Sequence, residues 1–348
     1  MSKPHLHFMG IGGIIMSGLA RWCHADGYRV SGCDTVLNAE TERLQSQGIP
    51  VLQGHSPDHV TEADVLVSTV AIAAEHPELE AARRLERRVL KRIELLAELF
   101  RQRRGVAITG THGKSTTTGM TASLFLAAGR DPSVLVGAQL PSIGGNVHYG
   151  RSDELIAEVD ESDPGFAGIA SSLAVVTNLG DDHIAGDYRE RRTYHASFAD
   201  LEAAMDAFAD RAERLLYCAD WPGLDRLLAG RAGGYRYGFA GTADYRAVIT
   251  SLSANGSTFD LVIPSGERYP VRLAVPGRHN VQNATAALAA THLMGLDLSK
   301  TAPSLAAFGG VGRRWQRRGS VSQALFIDDY AVHPTEVRVV LQLAKDTG

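Results

Sequence analysis

Short apolar runs alternate along the chain with amphipathic stretches, the pattern that builds a parallel α/β sheet. Residues 5–9 read as a strand, 10–13 as a tight turn, 16–26 as a helix, and 29–32 as a second strand closed by Asp34. Val51 and residues 65–69 are further strand signals with helices between them. A helical pattern over 75–88 leads into another over 94–100, and the polar run Arg101-Gln-Arg-Arg104 marks a boundary. A second alternating region begins at Gly105, with strands predicted at 106–109, 133–136, 155–159, 174–178, 215–218 and 235–238. Asn255-Gly256 interrupts the stretch 248–263 as a hairpin turn. An alanine-rich helix over 281–294, a strand at 324–327 and a helix from Pro334 complete the pattern.

The strand at 106–109 runs into Thr109-Gly-Thr-His-Gly-Lys-Ser115 and a threonine-rich helix start. This is the chemistry of a phosphate-binding loop. Gly110 and Gly113 let backbone N–H groups converge on phosphate oxygens, Lys114 brings positive charge to the β/γ-phosphates, and the Ser115 hydroxyl suits Mg²⁺. Ile108 stands six residues before Lys114, so the glycine spacing is tighter than in the usual loop.

Two other strand ends are predicted on the same sheet edge. Glu158-Val-Asp-Glu-Ser-Asp163 places four carboxylates in six residues, either a locus for a hard cation or a solvated acidic loop. Asn178-Leu-Gly-Asp-Asp-His183 ends in a histidine that either holds metal or phosphate or is an ordinary polar loop residue. Earlier in the chain, Gly10-Ile-Gly-Gly13 opens a helix, and Asp34 follows at the second strand end. This approximates a dinucleotide fingerprint with Ile15 in the place of its third glycine; a nicotinamide dinucleotide, another diphosphate and a structural turn all fit it. Asn280 and Asn283 share one face of a helix start. Arg313 and Arg314 offer a guanidinium to a phosphoryl group, and Asp328-Asp329-Tyr330 ends a strand that suits a ribose or a metal.

Composition narrows these readings only a little. The 348 residues are 44% hydrophobic with a net charge of −4, and no Lys/Arg block suggests nucleic acid. Arg83, Arg84, Arg87 and Arg88, with Glu80 and Glu86, read as a solvated helix face. Cys23, Cys33 and Cys218 form no C-x-x-C pair and read as reduced thiols of a cytoplasmic protein. No leader-like segment and no run of about 18 apolar residues is expected to engage a membrane.

Taken in order, these stations resemble the Mur ligases of peptidoglycan synthesis over essentially the whole chain. The motifs are Gly10-Ile-Gly-Gly-Ile-Ile-Met-Ser-Gly18, Val30-Ser-Gly-Cys-Asp34, Gly110-Thr-His-Gly-Lys-Ser115, Glu158-Val-Asp-Glu-Ser-Asp163 and Thr177-Asn-Leu-Gly-Asp-Asp-His183. They continue with Pro276-Gly-Arg-His-Asn-Val-Gln-Asn283, Arg313-Arg-Trp-Gln316 and Asp328-Asp-Tyr-Ala-Val-His-Pro-Thr-Glu336. The resemblance implies an α/β fold of three parts. These are a Rossmann-like UDP-substrate domain (1–104), a P-loop ATPase-like central domain (105–310) and the start of a truncated Rossmann-like amino-acid domain (311–348). It also implies ATP-driven joining of UDP-N-acetylmuramate and L-alanine with Mg²⁺; the alternatives are a non-ligating UDP-sugar/ATP-binding chain and a tripeptide-adding ligase of cell-wall recycling.

Residue roles follow from the same resemblance. Gly10, Gly12, Gly13, Met16, Ser17, Asp34 and Ser68 would meet the UDP substrate, which displaces the nicotinamide reading. Gly110, Thr111, His112, Gly113, Lys114, Ser115 and Thr116, with Asn280, Asn283, Arg314 and Asp329, would meet ATP. Ser115, Glu158 and His183 would hold Mg²⁺, and Lys114, Glu158, His183 and Arg314 would be catalytic. The chain departs from the family pattern at Ile14, Ile15, Pro164, Ala185 and Val332. A family third domain takes on the order of 120–150 residues, so residues 311–348 are expected to pack poorly or to lean on the central domain.

Overall fold

A computed structural model describes residues 3–69, 72–181, 184, 195–322 and 324–347. The first apolar runs form β1 (His5–Met9), β2 (Arg29–Asp34), β3 (Val51–Gln53), β4 (Val65–Ser68) and β5 (Arg88–Lys91), a parallel sheet in the order β3-β2-β1-β4-β5. Helices α1 (Ile14–Ala25), α2 (Ala39–Ser46), α3 (Pro77–Arg84) and α4 (Arg92–Arg101) connect and cover it. All five residues of β1 are buried, as expected of a central strand covered on both faces. Asn38 caps α2, accepting from the N–H groups of Glu40 and Thr41.

The second sheet contains β6 (Arg104–Thr109), β7 (Ser133–Leu140), β8 (Gly145–His148), β9 (Glu154–Glu158), β10 (Leu173–Val176), β11 (Leu215–Cys218), β12 (Gly234–Gly238), β13 (Tyr245–Ser253), β14 (Gly256–Val262) and β15 (Arg268–Leu273). Their order is β15-β14-β13-β12-β11-β10-β6-β9-β7-β8. Strands β7 to β13 run parallel from β7 through β9, β6, β10, β11 and β12, while β8, β14 and β15 are antiparallel additions. Helices α5 (Lys114–Ala127), α6 (Phe198–Asp210), α7 (Pro222–Leu228), α8 (Arg278–Leu293) and α9 (Leu298–Thr301) pack around it. A hairpin of β16 (Gln316–Val321) and β17 (Ala324–Asp328) precedes α10 (Pro334–Thr347).

The structure corrects the expected helix over 75–88. It ends at Arg84, Glu86 takes φ +53°, and Arg88 belongs to β5, where pairing with β4 overrides local helical propensity. Strands β8, β15 and β16 and helices α6 and α7 were not anticipated. Strand β15 carries Pro270 at the sheet edge, where a missing N–H costs no ladder bond.

The two large sheets are tied through polar contacts. Arg92 on α4 donates to Asp160 at 2.6 Å, Arg21 on α1 to Asn146 at 3.2 Å, and Gln139 on β7 to Glu40 at 3.0 Å. Residues 311–347 lean on the central part: Gly312 N donates to Gln139 O at 2.7 Å, Arg317 to Ala254 O at 2.9 Å, and Leu343 of α10 is buried beside Gly277. The other face of the hairpin and helix leaves Phe326 54% and Leu341 58% exposed.

Phe125 on α5 is fully buried in the core beneath the second sheet. Phe125→Ala should lower the unfolding free energy by about 3–5 kcal/mol, read as a reduced urea midpoint; an unchanged midpoint would show that α5 does not carry the core.

Candidate nucleotide site

Strand β6 lies between β9 and β10, so three strand ends meet at one edge. Ile108 is in register with Glu158, and Thr109 with Val176. The loop between β6 and α5 therefore has the acidic segment on one side and residues 177–180 on the other. Gly110 has φ +123°, and a Cβ there would sit 2.3 Å from Thr177 Oγ1 and 2.7 Å from Asn178 O, so only glycine fits. Thr177 Oγ1 and Asn178 Nδ2 donate to His112 O, His112 N donates to Asn178 Oδ1 at 2.8 Å, and Gly180 N donates to Thr111 Oγ1 at 2.7 Å. Gly113 is the N-cap of α5, and the first-turn N–H groups of Lys114, Ser115 and Thr116 have no acceptor further back in the helix. Ser115 and Thr116 are buried beneath the loop.

Lys114 Nζ donates to Gly110 O at 2.7 Å, Thr111 O at 3.2 Å and Glu161 at 2.7 Å. Burial works against the ammonium, but Glu161, Asp160 and Glu158 outweigh it and hold the Lys114 pKa above the ordinary lysine value. The four carboxylates of the acidic segment thus have different tasks. Glu161 faces Lys114, Asp160 pairs with Arg92, and Asp163 caps the turn Pro164–Gly168 by accepting from Gly165 N at 3.0 Å. Glu158 Oε2 accepts from Gly137 N at 2.7 Å, while its Oε1 makes no hydrogen bond among the described residues. A Cβ on Gly137 would come within 2.8 Å of that carboxylate, so the glycine makes the cradle. A carboxylate oxygen and the Ser115 hydroxyl beside a phosphate loop are the hard donors Mg²⁺ prefers, so the residues fit that ion. His183, with Asp182 and Ala185, lies outside the described residues.

A cavity of about 150 Å³ opens beside the loop, lined by His112, Gly113, Ser115, Asn283, Arg314 and Glu336 among others. Asn280 and Asn283 reach it from α8, but Asn280 Nδ2 is already committed to Pro276 O at 2.7 Å. From the C-terminal side, Asp329 accepts from Trp315 N at 2.7 Å and Ala331 N at 2.9 Å, fixing a turn in which Arg313 and Trp315 have positive φ. Arg314 thereby faces Glu336 at 3.4 Å, and the same Glu336 oxygen lies 3.2 Å from His112 Nδ1. Burial raises the Glu336 pKa, but hydrogen bonds from His112 and Val332 N and the Arg314 charge together bring it down to about 2. Glu336, Glu161 and Asn178 were not singled out from sequence. Each lay inside a quoted motif, but which partner each faces depends on strands far apart in the chain. Val332 is 75% exposed beside this site.

At the first sheet, Gly10 N and Ile11 N donate to Cys33 O, Gly12 N donates to Asp34 Oδ2 at 2.8 Å, and Ser17 Oγ donates to Glu40 at 3.2 Å. Met16 is buried on α1 and Ser68 at the end of β4. The turn, Asp34 and Ser68 thus belong to adjacent strand ends, β2-β1-β4, of one parallel sheet, the usual place for a ligand crevice.

Residues 5–104 match the Mur ligase family catalytic domain, and residues 108–291 match the Mur ligase middle domain. The chain belongs to the Mur ligase family. Among its relatives, UDP-N-acetylmuramate–L-alanine ligase of Deinococcus radiodurans is 46% identical over 99% of this chain and 72% of that protein. The enzyme of the same name from Laribacter hongkongensis is 40% identical over 98% of this chain and 74% of its own length. The crystal structure of UDP-N-acetylmuramate-alanine ligase from Thermotoga maritima superimposes with a TM-score of 0.84 at 30% identity, covering 99% of this chain and 78% of that one. No helix among the described residues is long and apolar enough to cross a membrane.

Gly110→Ala should destabilise the fold by on the order of 1–3 kcal/mol and weaken ATP binding, measured by thermal melting and nucleotide titration. Unchanged values in both would contradict the crowding at Thr177 and Asn178. Glu336 has a folded pKa below its ordinary value, so its contribution is complete above about pH 4.5 and fades as pH falls toward 2. Hydrogen exchange of α10 should therefore show protection lost over that window, and a flat response in Glu336→Gln. Equal pH dependence in both proteins would remove Glu336 from the account.

Proposed function

We propose that this chain joins L-alanine to the lactyl carboxylate of UDP-N-acetylmuramate at the expense of ATP, in peptidoglycan synthesis. The observation that carries the reading is the meeting of the Lys114-Ser115 loop with Glu158 at the ends of β6 and β9. The likeness to the L-alanine ligases supports the choice of substrates.

In this reading the first-turn N–H groups of Lys114, Ser115 and Thr116 and the Lys114 ammonium take the β/γ-phosphates of ATP. Lys114 already spends its three donors on Gly110 O, Thr111 O and Glu161. Phosphate binding is then an exchange of one loop carbonyl for a phosphate oxygen, with Glu161 keeping the ammonium oriented. Ser115 and Glu158 would hold one Mg²⁺ and His183 would help hold a second; when bound, the ions would neutralise charge between two anions that otherwise repel. Asn280 and Asn283 approach from the adenine side, while Arg314 and Asp329 meet ATP from the C-terminal segment. Gly10, Gly12, Gly13, Met16, Ser17, Asp34 and Ser68 seat the UDP moiety.

A carboxylate does not accept an amine directly, because oxide would have to leave. The lactyl carboxylate oxygen attacks the γ-phosphorus, the bond to ADP breaks with its electron pair going to ADP, and an acyl phosphate forms. The neutral amine of L-alanine attacks the acyl carbon, phosphate departs and the amine proton passes to solvent. Lys114 stabilises charge on the transferring phosphoryl group, and Arg314 adds a second cation from the opposite wall of the cavity.

ADP release should require ATP, Mg²⁺, UDP-N-acetylmuramate and L-alanine together, with little release when a tripeptide replaces L-alanine. Lys114→Ala in a Glu161→Gln background, which avoids an unpaired buried carboxylate, should lose about 100-fold or more in rate. ADP release indifferent to UDP-N-acetylmuramate would refute the ligase reading; binding of both substrates without ADP release would replace it with a binding role.

A further inference from the structure

A second cluster of ligand atoms lies in the first sheet, apart from the nucleotide loop. His7 on β1, Cys33 near the end of β2, His59 in the turn Pro57–Val60 and Glu78 in the first turn of α3 each bring one ligand atom to within 4.8 Å of the others. Glu78 is a carboxylate with no exposed surface, and His7 and Cys33 are buried with it. Glu78 Oε1 lies 2.8 Å from His59 Nδ1 and accepts from Ser56 N at 2.9 Å; Oε2 lies 3.1 Å from His55 Nδ1. Cys33 Sγ lies 3.4 and 3.5 Å from the two carboxylate oxygens.

Those hydrogen bonds account for Glu78, but they leave His7 unexplained. His5 Nδ1 faces the Glu62 carbonyl at 3.0 Å and must donate to it. In the neutral ring, His5 Nε2 is then an acceptor and takes the Ser31 hydroxyl proton at 2.8 Å. With that proton used, Ser31 Oγ accepts from His7 Nδ1, also at 2.8 Å. His7 Nε2 is left with a bare lone pair, and it is a buried atom without a hydrogen-bond partner among the described residues. Burying such an acceptor unpaired is destabilising, because its water partner is lost and nothing replaces it. A histidine whose far nitrogen is fixed by a hydrogen bond and whose near nitrogen offers a lone pair is how proteins orient a metal ligand.

We propose that His7 Nε2, Cys33 Sγ, His59 Nδ1 and a Glu78 oxygen form a zinc site in the first sheet. Two imidazoles, a thiolate and a carboxylate are a donor set that favours zinc over Mg²⁺ or Ca²⁺. Bonds of 2.0–2.3 Å in a tetrahedron place ligand atoms about 3.3–3.8 Å apart, close to the present separations of Cys33 from Glu78. The pair His59–Glu78 has to open by about half an ångström to reach that geometry. As the Zn–S bond forms, the Cys33 thiol proton leaves to solvent. The role is structural. The Cys33 carbonyl accepts from Gly10 N at 2.8 Å and Ile11 N at 3.1 Å, so a metal on its side chain would brace the glycine turn from below. The proposal stands whether or not the chain is a ligase.

The test uses the full chain, stripped by a chelator and titrated with Co²⁺ or Zn²⁺ alone. One equivalent of Co²⁺ should give intense visible bands of a tetrahedral site and a near-ultraviolet thiolate charge-transfer band, both removed by Zn²⁺ but not by excess Mg²⁺. Zn²⁺ should also raise the melting temperature. Cys33→Ser should lose the charge-transfer band, and His59→Asn, which keeps a donor toward Glu78, should weaken Co²⁺ binding at least tenfold. No thiolate band in the wild-type chain, or the same band in Cys33→Ser, would overturn the site and leave Glu78 a hydrogen-bonded buried carboxylate. The wild-type spectrum decides the matter even if a variant fails to fold.

Discussion

A half-buried ammonium at the first turn of a helix is electrostatically misplaced, since that end already carries partial positive charge. Lys114 is in this position on α5, and much of the central architecture answers it. Glu161 meets it directly, and Asp160 and Glu158 add negative charge from the same strand end. The carboxylates reach it because β9 pairs in parallel register with β6, which aligns Glu158 with Ile108. A cation held this way is pre-organised for phosphate without being mobile, which suits a reaction that depends on positioning and charge.

The same acidic segment connects the two large sheets. Asp160 is held by Arg92 of α4, where burial raises and the Lys114 and Arg92 charges more than reverse the carboxylate pKa, leaving it well below the usual range. Through Arg92, the first sheet's helical cover meets the charge balance around Lys114. On the opposite wall, Glu336 connects His112 of the loop to Arg314 of the C-terminal segment. The loop is thus gripped on two sides by carboxylates that each bind a basic group from another part of the chain.

The glycine turn of the first sheet is built differently. Its N–H groups are held by the Cys33 carbonyl and the Asp34 carboxylate, so the turn depends on β2. In a dinucleotide fingerprint the acidic residue would serve a ribose; here Asp34 already accepts from Gly12 N and Val36 N. Beneath it, histidines, a cysteine and a buried glutamate from four segments converge without any local motif to announce them.

The phosphate loop, its Lys-Ser pair, the acidic strand end and most central strands were legible in the sequence, because each depends on residues close together in the chain. Local spacing alone determined that Gly110 and Gly113 turn the chain out of β6 into α5, with Lys114 at the helix start. It did not determine which of Glu158, Asp160, Glu161 and Asp163 faces the cation position, nor that residues 88–91 leave a helical pattern to pair with β4. Those outcomes, like Glu336 on His112 and Glu78 among His7, Cys33 and His59, were decided by tertiary structure. A side chain's partner is set by strand order and register between segments tens to hundreds of residues apart, and no local pattern of hydrophobic and polar positions encodes that.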